Sequence, residues 1–156
     1  MIQQSWFGYI HNKASNYVRF VLCFRYIPQQ LTQVNIMAVT AMDLVQNAKA
    51  VISEVTVEQA EEMFLNGSLA LDVRELVEYD AGHIPHAKHI SRGMLEFKIV
   101  GYPEFDDLSQ SIVVYCKTGG RSALATETLM KLGFSNVNSM LGGFDAWSET
   151  HTPSQA

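Results

Sequence analysis

Cys116-Lys117-Thr118-Gly119-Gly120-Arg121-Ser122 places a sulfur nucleophile, a glycine pair and an arginine within one short stretch. These types at this spacing suit anion chemistry. A cysteine thiolate is a strong nucleophile where its negative charge is held. Two glycines let the backbone curl close to an anion, and successive N–H groups of such a turn point at one spot. A helix starting there adds the positive end of its dipole to the same field. Arg121 opposes that dipole unless it meets an anion, and Lys117 and Arg121 together would draw an anionic reactant towards Cys116. The alternative for Cys116 is a packed core cysteine. The Lys-Thr-Gly-Gly-Arg that follows it is a poor sequence for a core position.

Delivering such a loop requires a strand before it and a helix after it. Ser111-Ile112-Val113-Val114-Tyr115 is a short β-branched run that reads as a buried strand, and Ser122 to Lys131 reads as a helix stopped by Gly133. Upstream, Thr40 and Asp43 open a lead-in helix over Ala41 to Val51. Thr56 and Gln59 form a capping box for a helix to about Leu65, ended by Asn66-Gly67. Leu69 to Arg74 predicts a strand with charge at its end, Glu75 to Asp80 a helical turn, and Lys88-His89-Ile90 a brief strand. Gly93 to Val100 then predicts a helix, Pro103 to Leu108 an acidic loop, Val137 to Leu141 a last strand, and Phe144 to Trp147 an aromatic end helix. Strands alternating with helices imply an α/β fold with right-handed crossovers and a mostly parallel sheet. Ligands of such sheets sit at the carboxyl ends of strands, where both Cys116 and the Asp72 to Arg74 end fall.

The 156 residues, 47% hydrophobic and 17% charged, suit one domain with a hydrophobic core. The net charge of −5 is divided unevenly. Residues 1–36 hold Lys13, Arg19 and Arg25 and no acid, for +3; the remainder holds 8 basic and 16 acidic residues, for −8. That balance argues against nucleic acid as a partner. Tyr17 to Ile27 is apolar, but Arg19 and Arg25 interrupt it; it is too short for a membrane span, and no small-residue cleavage site follows an uninterrupted apolar core as a secretory signal needs. An acid-poor, basic segment also resembles an organellar transit peptide. The plainer reading is a disordered extension, or residues outside the native protein, with Met37 as the start. Cys23 and Cys116 lie far apart in segments of different character, so a disulfide framework is not expected and a reducing cytoplasm fits. The domain plan is an extension at 1–36, the lead-in helix at 37–53, the main domain at 54–150 and a tail at 151–156.

His83, His86 and His89 are spaced by three, but Pro85 prevents the continuous helix that would align them on a metal. A Cys116–His83 pair of protease type is open on residue types alone; no acyl-oxyanion site or substrate groove is evident beside it.

Leu71-Asp72-Val73-Arg74-Glu75, then Glu78-Tyr79, then Gly82-His83-Ile84-Pro85-His86-Ala87, then the Cys116 loop, then Leu141-Gly142-Gly143 with Trp147, resemble in order and spacing the signatures of a single-domain rhodanese. The resemblance spans about residues 54 to 149. His86 departs from it, standing where the family often has glycine. The resemblance implies a rhodanese-like α/β fold, a five-stranded, mostly parallel sheet flanked by helices on both faces. It implies that Cys116 takes a sulfane sulfur from a donor such as thiosulfate, holds it as a persulfide and passes it to cyanide or a thiol, without metal or organic cofactor. Lys117, Thr118, Gly119, Gly120, Arg121 and Ser122 would bind the substrate, while Asp72, Arg74 and His83 would support the loops through buried ion pairs and hydrogen bonds. The implied partners are the small-molecule donor and acceptor, with a sulfur-relay protein as a further candidate and neither nucleic acid nor membrane. A module fed with persulfide by a partner protein is the alternative. The same fold family includes phosphatases and arsenate reductases with one more residue between Cys and Arg; here four intervene, which favours sulfur transfer.

Overall fold

The computed structural model describes residues 38–151; the expectations for the 1–36 extension and for residues 152–156 lie outside them. Helix α1 (Ala41–Lys49) begins at the Thr40 cap, whose side chain exchanges hydrogen bonds with Asp43. After β1 (Ser53–Val55), α2 (Val57–Leu65) starts at the Thr56–Gln59 capping box. In both boxes an acceptor three residues on satisfies a backbone N–H that the helix leaves unpaired. The chain continues through β2 (Leu69–Asp72), α3 (Leu76–Asp80), β3 (Lys88–His89) and α4 (Leu95–Lys98). It ends with β4 (Ile112–Tyr115), α5 (Gly120–Lys131), β5 (Val137–Met140) and α6 (Gly143–His151).

The five strands form one sheet in the order β1-β5-β4-β2-β3, and every neighbouring pair is parallel. Central β4 is buried along its whole length, which is why its sequence is continuously apolar rather than alternating. Its side chains feed two cores. Ile112 and Val114 pack on one face with Leu95, Ile99, Ala125 and Leu129; Val113 and Tyr115 pack on the other with Val57, Ala60, Ile84 and Trp147. Helices therefore cover both faces. From β2 the chain proceeds outward to β3, and from β4 it proceeds the other way to β5, so the sheet changes direction between β2 and β4. A crevice opens beyond the carboxyl ends at such a point, and those ends are Asp72 and Tyr115, which are register partners.

Several elements differ from the sequence expectation. Strand β1 was not foreseen, because Ser53-Glu54-Val55 is a three-residue edge strand without an apolar run. The helix expected over 93–100 divides into a 3-10 turn at Arg92–Met94, α4, and a second 3-10 turn at Ile99–Gly101. The acidic loop holds a further turn at Pro103–Phe105, whose Phe105 is buried. Gly93, Gly101 and Pro103 interrupt regular helix, while Leu95, Ile99 and Phe105 anchor the pieces to the core. The end helix runs on to His151, whose ring stacks on Trp147 at 3.8 Å, so His151 belongs to α6 rather than to the tail. Among the described residues no helix is long and apolar enough to cross a membrane.

Candidate active site

Strand β4 ends at Tyr115 and the next residue is Cys116, buried at 1% exposure. Gly119 turns the chain with φ of 102° and serves as N-cap of α5, so the helix begins two residues earlier than its apolar pattern suggests. The turn brings the Gly119 N–H to the sulfur, donating to Cys116 Sγ across 3.2 Å. Ser122, fully buried in the first turn of α5, has its Oγ 3.7 Å from the same sulfur. That hydroxyl donates to Gly119 O at 3.0 Å and accepts from Ser139 Oγ of β5 at 3.0 Å. A backbone donor and the amino end of a twelve-residue helix thus converge on one sulfur, and the buried Ser139–Ser122 hydroxyl pair holds the Gly119 turn beside it. Lys117 and Thr118 are exposed at the mouth of the loop, and Gly120 is half-buried beside Val45 of α1.

Helix α6 clamps the loop from behind. The N–H of Phe144 donates to Cys116 O at 2.7 Å, and the N–H of Asp145 donates to Lys117 O at 3.0 Å. This approach requires Gly143, which has φ of 60° and where a Cβ would lie 2.6 Å from Lys117 O. Gly143, quoted above with Leu141 and Gly142, is therefore part of the loop's support.

Arg121 does not stand free beside Cys116. Its Nη1 and Nη2 donate in a fork to Glu78 Oε2 and Oε1 at 2.7 and 2.8 Å. The guanidinium holds the Glu78 carboxyl down to about 2, against the partial burial that raises it, and the pairing pushes Arg121 up. Glu78 also accepts from the Glu75 N–H, so one carboxylate caps α3 and fixes Arg121. Glu78 carried no role in the sequence reading, since nothing in local spacing links it to a residue 43 positions away.

Asp72, Arg74, Glu75 and His83 separate in space. Asp72, fully buried at the end of β2, accepts from Arg74 Nε at 3.0 Å and Nη2 at 2.6 Å, and Arg74 Nη2 also reaches Gly82 O at 2.7 Å. Burial works against the Arg74 charge, but Asp72 outweighs it and the net shift is upward. The guanidinium lies 4.2 Å from the centre of the Phe144 ring. Tyr115 accepts from the Ile84 N–H, and burial, helped by Asp72, pushes its phenol up. Arg74 thereby ties β2, the 82–84 loop and α6 together. Glu75 is the exposed N-cap of α3. His83 is exposed, stacked on Tyr79 at 3.9 Å, with Nδ1 3.0 Å from Tyr79 O; the sulfur's hydrogen-bond partners among the described residues are Gly119 and Ser122, not His83. His86 has φ of 64°, a left-handed turn that explains why glycine suits this position. Among the described residues no group of three or more His, Cys, Asp or Glu is placed to hold a metal.

Comparison with known proteins agrees with this geometry. Thiosulfate sulfurtransferase 16, chloroplastic, of Arabidopsis thaliana is 33% identical over 117 residues, which is 67% of this chain and 93% of that protein. A Rhodopseudomonas palustris structure described as a protein of unknown function and possible tyrosine phosphatase is 30% identical with a TM-score of 0.67, covering 81% of this chain and 98% of that one. The polysulfide-sulfur transferase homodimer of Wolinella succinogenes is 32% identical with a TM-score of 0.60, over 70% and 82% of the two chains. The profile of the rhodanese-like domain matches residues 56–150, more than half of the sequence. The chain belongs to the rhodanese-like domain family and, with it, to the sulfurtransferase enzymes.

Proposed function

We propose that the protein moves a sulfane sulfur from a donor such as thiosulfate to cyanide or a thiol through a persulfide on Cys116. The Cys116 thiolate attacks the outer sulfur of thiosulfate; the S–S bond of the donor breaks, sulfite leaves with its electron pair, and the enzyme holds Cys–S–S⁻. Cyanide then attacks the terminal sulfur, forming thiocyanate and returning the thiolate. No proton, electron carrier or metal enters this balance. The observation that carries the proposal is the Gly119 N–H aimed at Cys116 Sγ, at the head of α5, in a loop with four residues between Cys116 and Arg121. Preorganised donors of this kind stabilise charge without reorganising during reaction. Lys117, Thr118, Gly120 and Ser122 complete the binding loop, while Asp72, Arg74 and His83 support its surroundings. A reducing compartment such as the cytoplasm suits a thiolate enzyme. Purified protein given thiosulfate and cyanide should form thiocyanate, and a Cys116→Ser variant that retained turnover would sink the proposal.

A second reading, a carrier module loaded by a partner protein, draws support from the 1% exposure of Cys116 and the Glu78 carboxylate seated on Arg121. A Cys116 persulfide formed from a persulfidated partner, without thiosulfate turnover, would favour it. The phosphatase description of the R. palustris neighbour is tested by aryl phosphate hydrolysis dependent on Cys116, and the short loop predicts none.

A further inference from the structure

A cleft of about 210 Å³ beside Lys117 of the loop is lined among others by Arg74, Glu78, Phe144 and Asp145. Its charges are arranged against a strongly anionic ligand. Three cations stand at or behind it, Arg74, Lys117 and Arg121, and three anions, Asp72, Glu78 and Asp145. Asp72 takes Arg74 and Glu78 takes both terminal nitrogens of Arg121, so Lys117 is the one of the three cations without an ion-pair partner among the described residues. A dianion entering here meets one unpaired cation and the repulsion of Glu78. It gains Arg121 only by displacing a carboxylate that already makes the fork geometry a guanidinium prefers. The Phe144 ring, by contrast, offers an apolar wall.

Resting on the sulfurtransferase reading, we infer that Glu78 is a specificity-determining residue: by occupying Arg121 it selects alkyl persulfide donors carrying one negative charge or none over dianionic thiosulfate. With such a donor the Cys116 thiolate attacks the terminal sulfur of R–S–S⁻, the donor S–S bond breaks, R–S⁻ leaves, and Cys–S–S⁻ forms. A small-molecule persulfide and a protein cysteine persulfide share this chemistry.

The test compares thiosulfate with methanethiosulfonate, which donates the same sulfane sulfur with one negative charge fewer. Glu78→Gln keeps the acceptor that caps α3 and removes the charge; Glu78→Asp keeps the charge. The ratio of kcat/KM for thiosulfate to that for methanethiosulfonate should rise about tenfold in Glu78→Gln, since one full charge near the donor is lost. In Glu78→Asp it should stay near the wild-type ratio. A merely structural defect lowers both donors together and leaves the ratio in place, so a change below about twofold in Glu78→Gln overturns the inference. Loss of turnover with both donors in the wild type would instead overturn the sulfurtransferase reading. Parallel wild-type reactions with 2-hydroxyethyl persulfide and with persulfidated serum albumin separate the two sources. Faster sulfur transfer from either than from thiosulfate supports the inference, and thiosulfate as the fastest of the three donors contradicts it.

Discussion

Replacing Gly143 by alanine tests the claim that α6 holds the Cys116 loop in place. The new Cβ would lie 2.6 Å from Lys117 O and nearer still to Cys116 O, whereas real Cβ atoms keep beyond 3.0 Å. Both crowded atoms are backbone, so relief requires the loop and the helix end to part. That separation stretches the Phe144-to-Cys116 and Asp145-to-Lys117 hydrogen bonds, 2.7 and 3.0 Å long, at about 1 kcal/mol each. The φ of 60° adds strain for any residue with a Cβ, about 1 kcal/mol. The sum is about 3 kcal/mol, which for a domain of this size lowers Tm by roughly 10–15 °C. A loop displaced by about 1 Å should also lose about 100-fold in sulfur transfer. Thermal unfolding and the thiocyanate assay read the two effects separately. Gly93→Ala, where an added Cβ meets nothing within 4 Å, is the control and should stay within about 0.5 kcal/mol of wild type. A Gly143→Ala protein melting within about 3 °C of wild type with full turnover would refute the clamp.

Asp72→Ala strands the Arg74 charge, only 4% exposed, and should cost about 3–5 kcal/mol in denaturant unfolding; a loss below about 1 kcal/mol would show that the pair does not hold the β2 end. Ser122→Ala removes the hydroxyl that ties down Gly119 O and so holds the turn whose N–H reaches Cys116 Sγ, and turnover should fall about tenfold. Ser139→Ala removes only the outer donor, so its effect should be mainly on stability, about 1 kcal/mol, and the reverse ranking in activity would contradict the geometry. The Glu78 carboxyl is held at about 2, below its ordinary 4.5. Its ion pair with Arg121 therefore contributes stability above pH 4.5 that is lost as the pH falls towards 2. Because Arg121 is 35% exposed, the contribution is about 1 kcal/mol or less. Glu78→Gln should flatten this part of the stability profile, and an unchanged acid limb would show that the pair does not titrate there.

The sequence carried most of the scaffold because its signals are local. The capping boxes at Thr40 and Thr56, the β-branched run before Cys116 and the stops at Gly67 and Gly133 each act within a few residues. Strand β1 escaped because an edge strand of Ser, Glu and Val draws its order from pairing with β5, 85 residues away (Ser53 with Asn138). The divided helix around α4 escaped because two buried side chains, Leu95 and Ile99, rather than helical periodicity, set its path. In the site, Cys116 and its glycines were legible from chemistry packed into one stretch. The roles of Glu78, Ser139 and Gly143 were not, since each acts through a long-range contact: on Arg121, on Ser122 and on the Cys116 carbonyl region. Arg121 shows the limit most clearly, because its type suggested a free anion ligand and the fold supplies it with an internal one.

The most direct measurement of the central claim is the intact mass of the protein after exposure to thiosulfate or an alkyl persulfide under non-reducing conditions. The account predicts an added mass of about 32 Da, one sulfur atom, located on Cys116, absent in Cys116→Ser and removed by cyanide as thiocyanate forms. Turnover with no sulfur adduct on Cys116, or an adduct on another residue that survives Cys116→Ser, would contradict it.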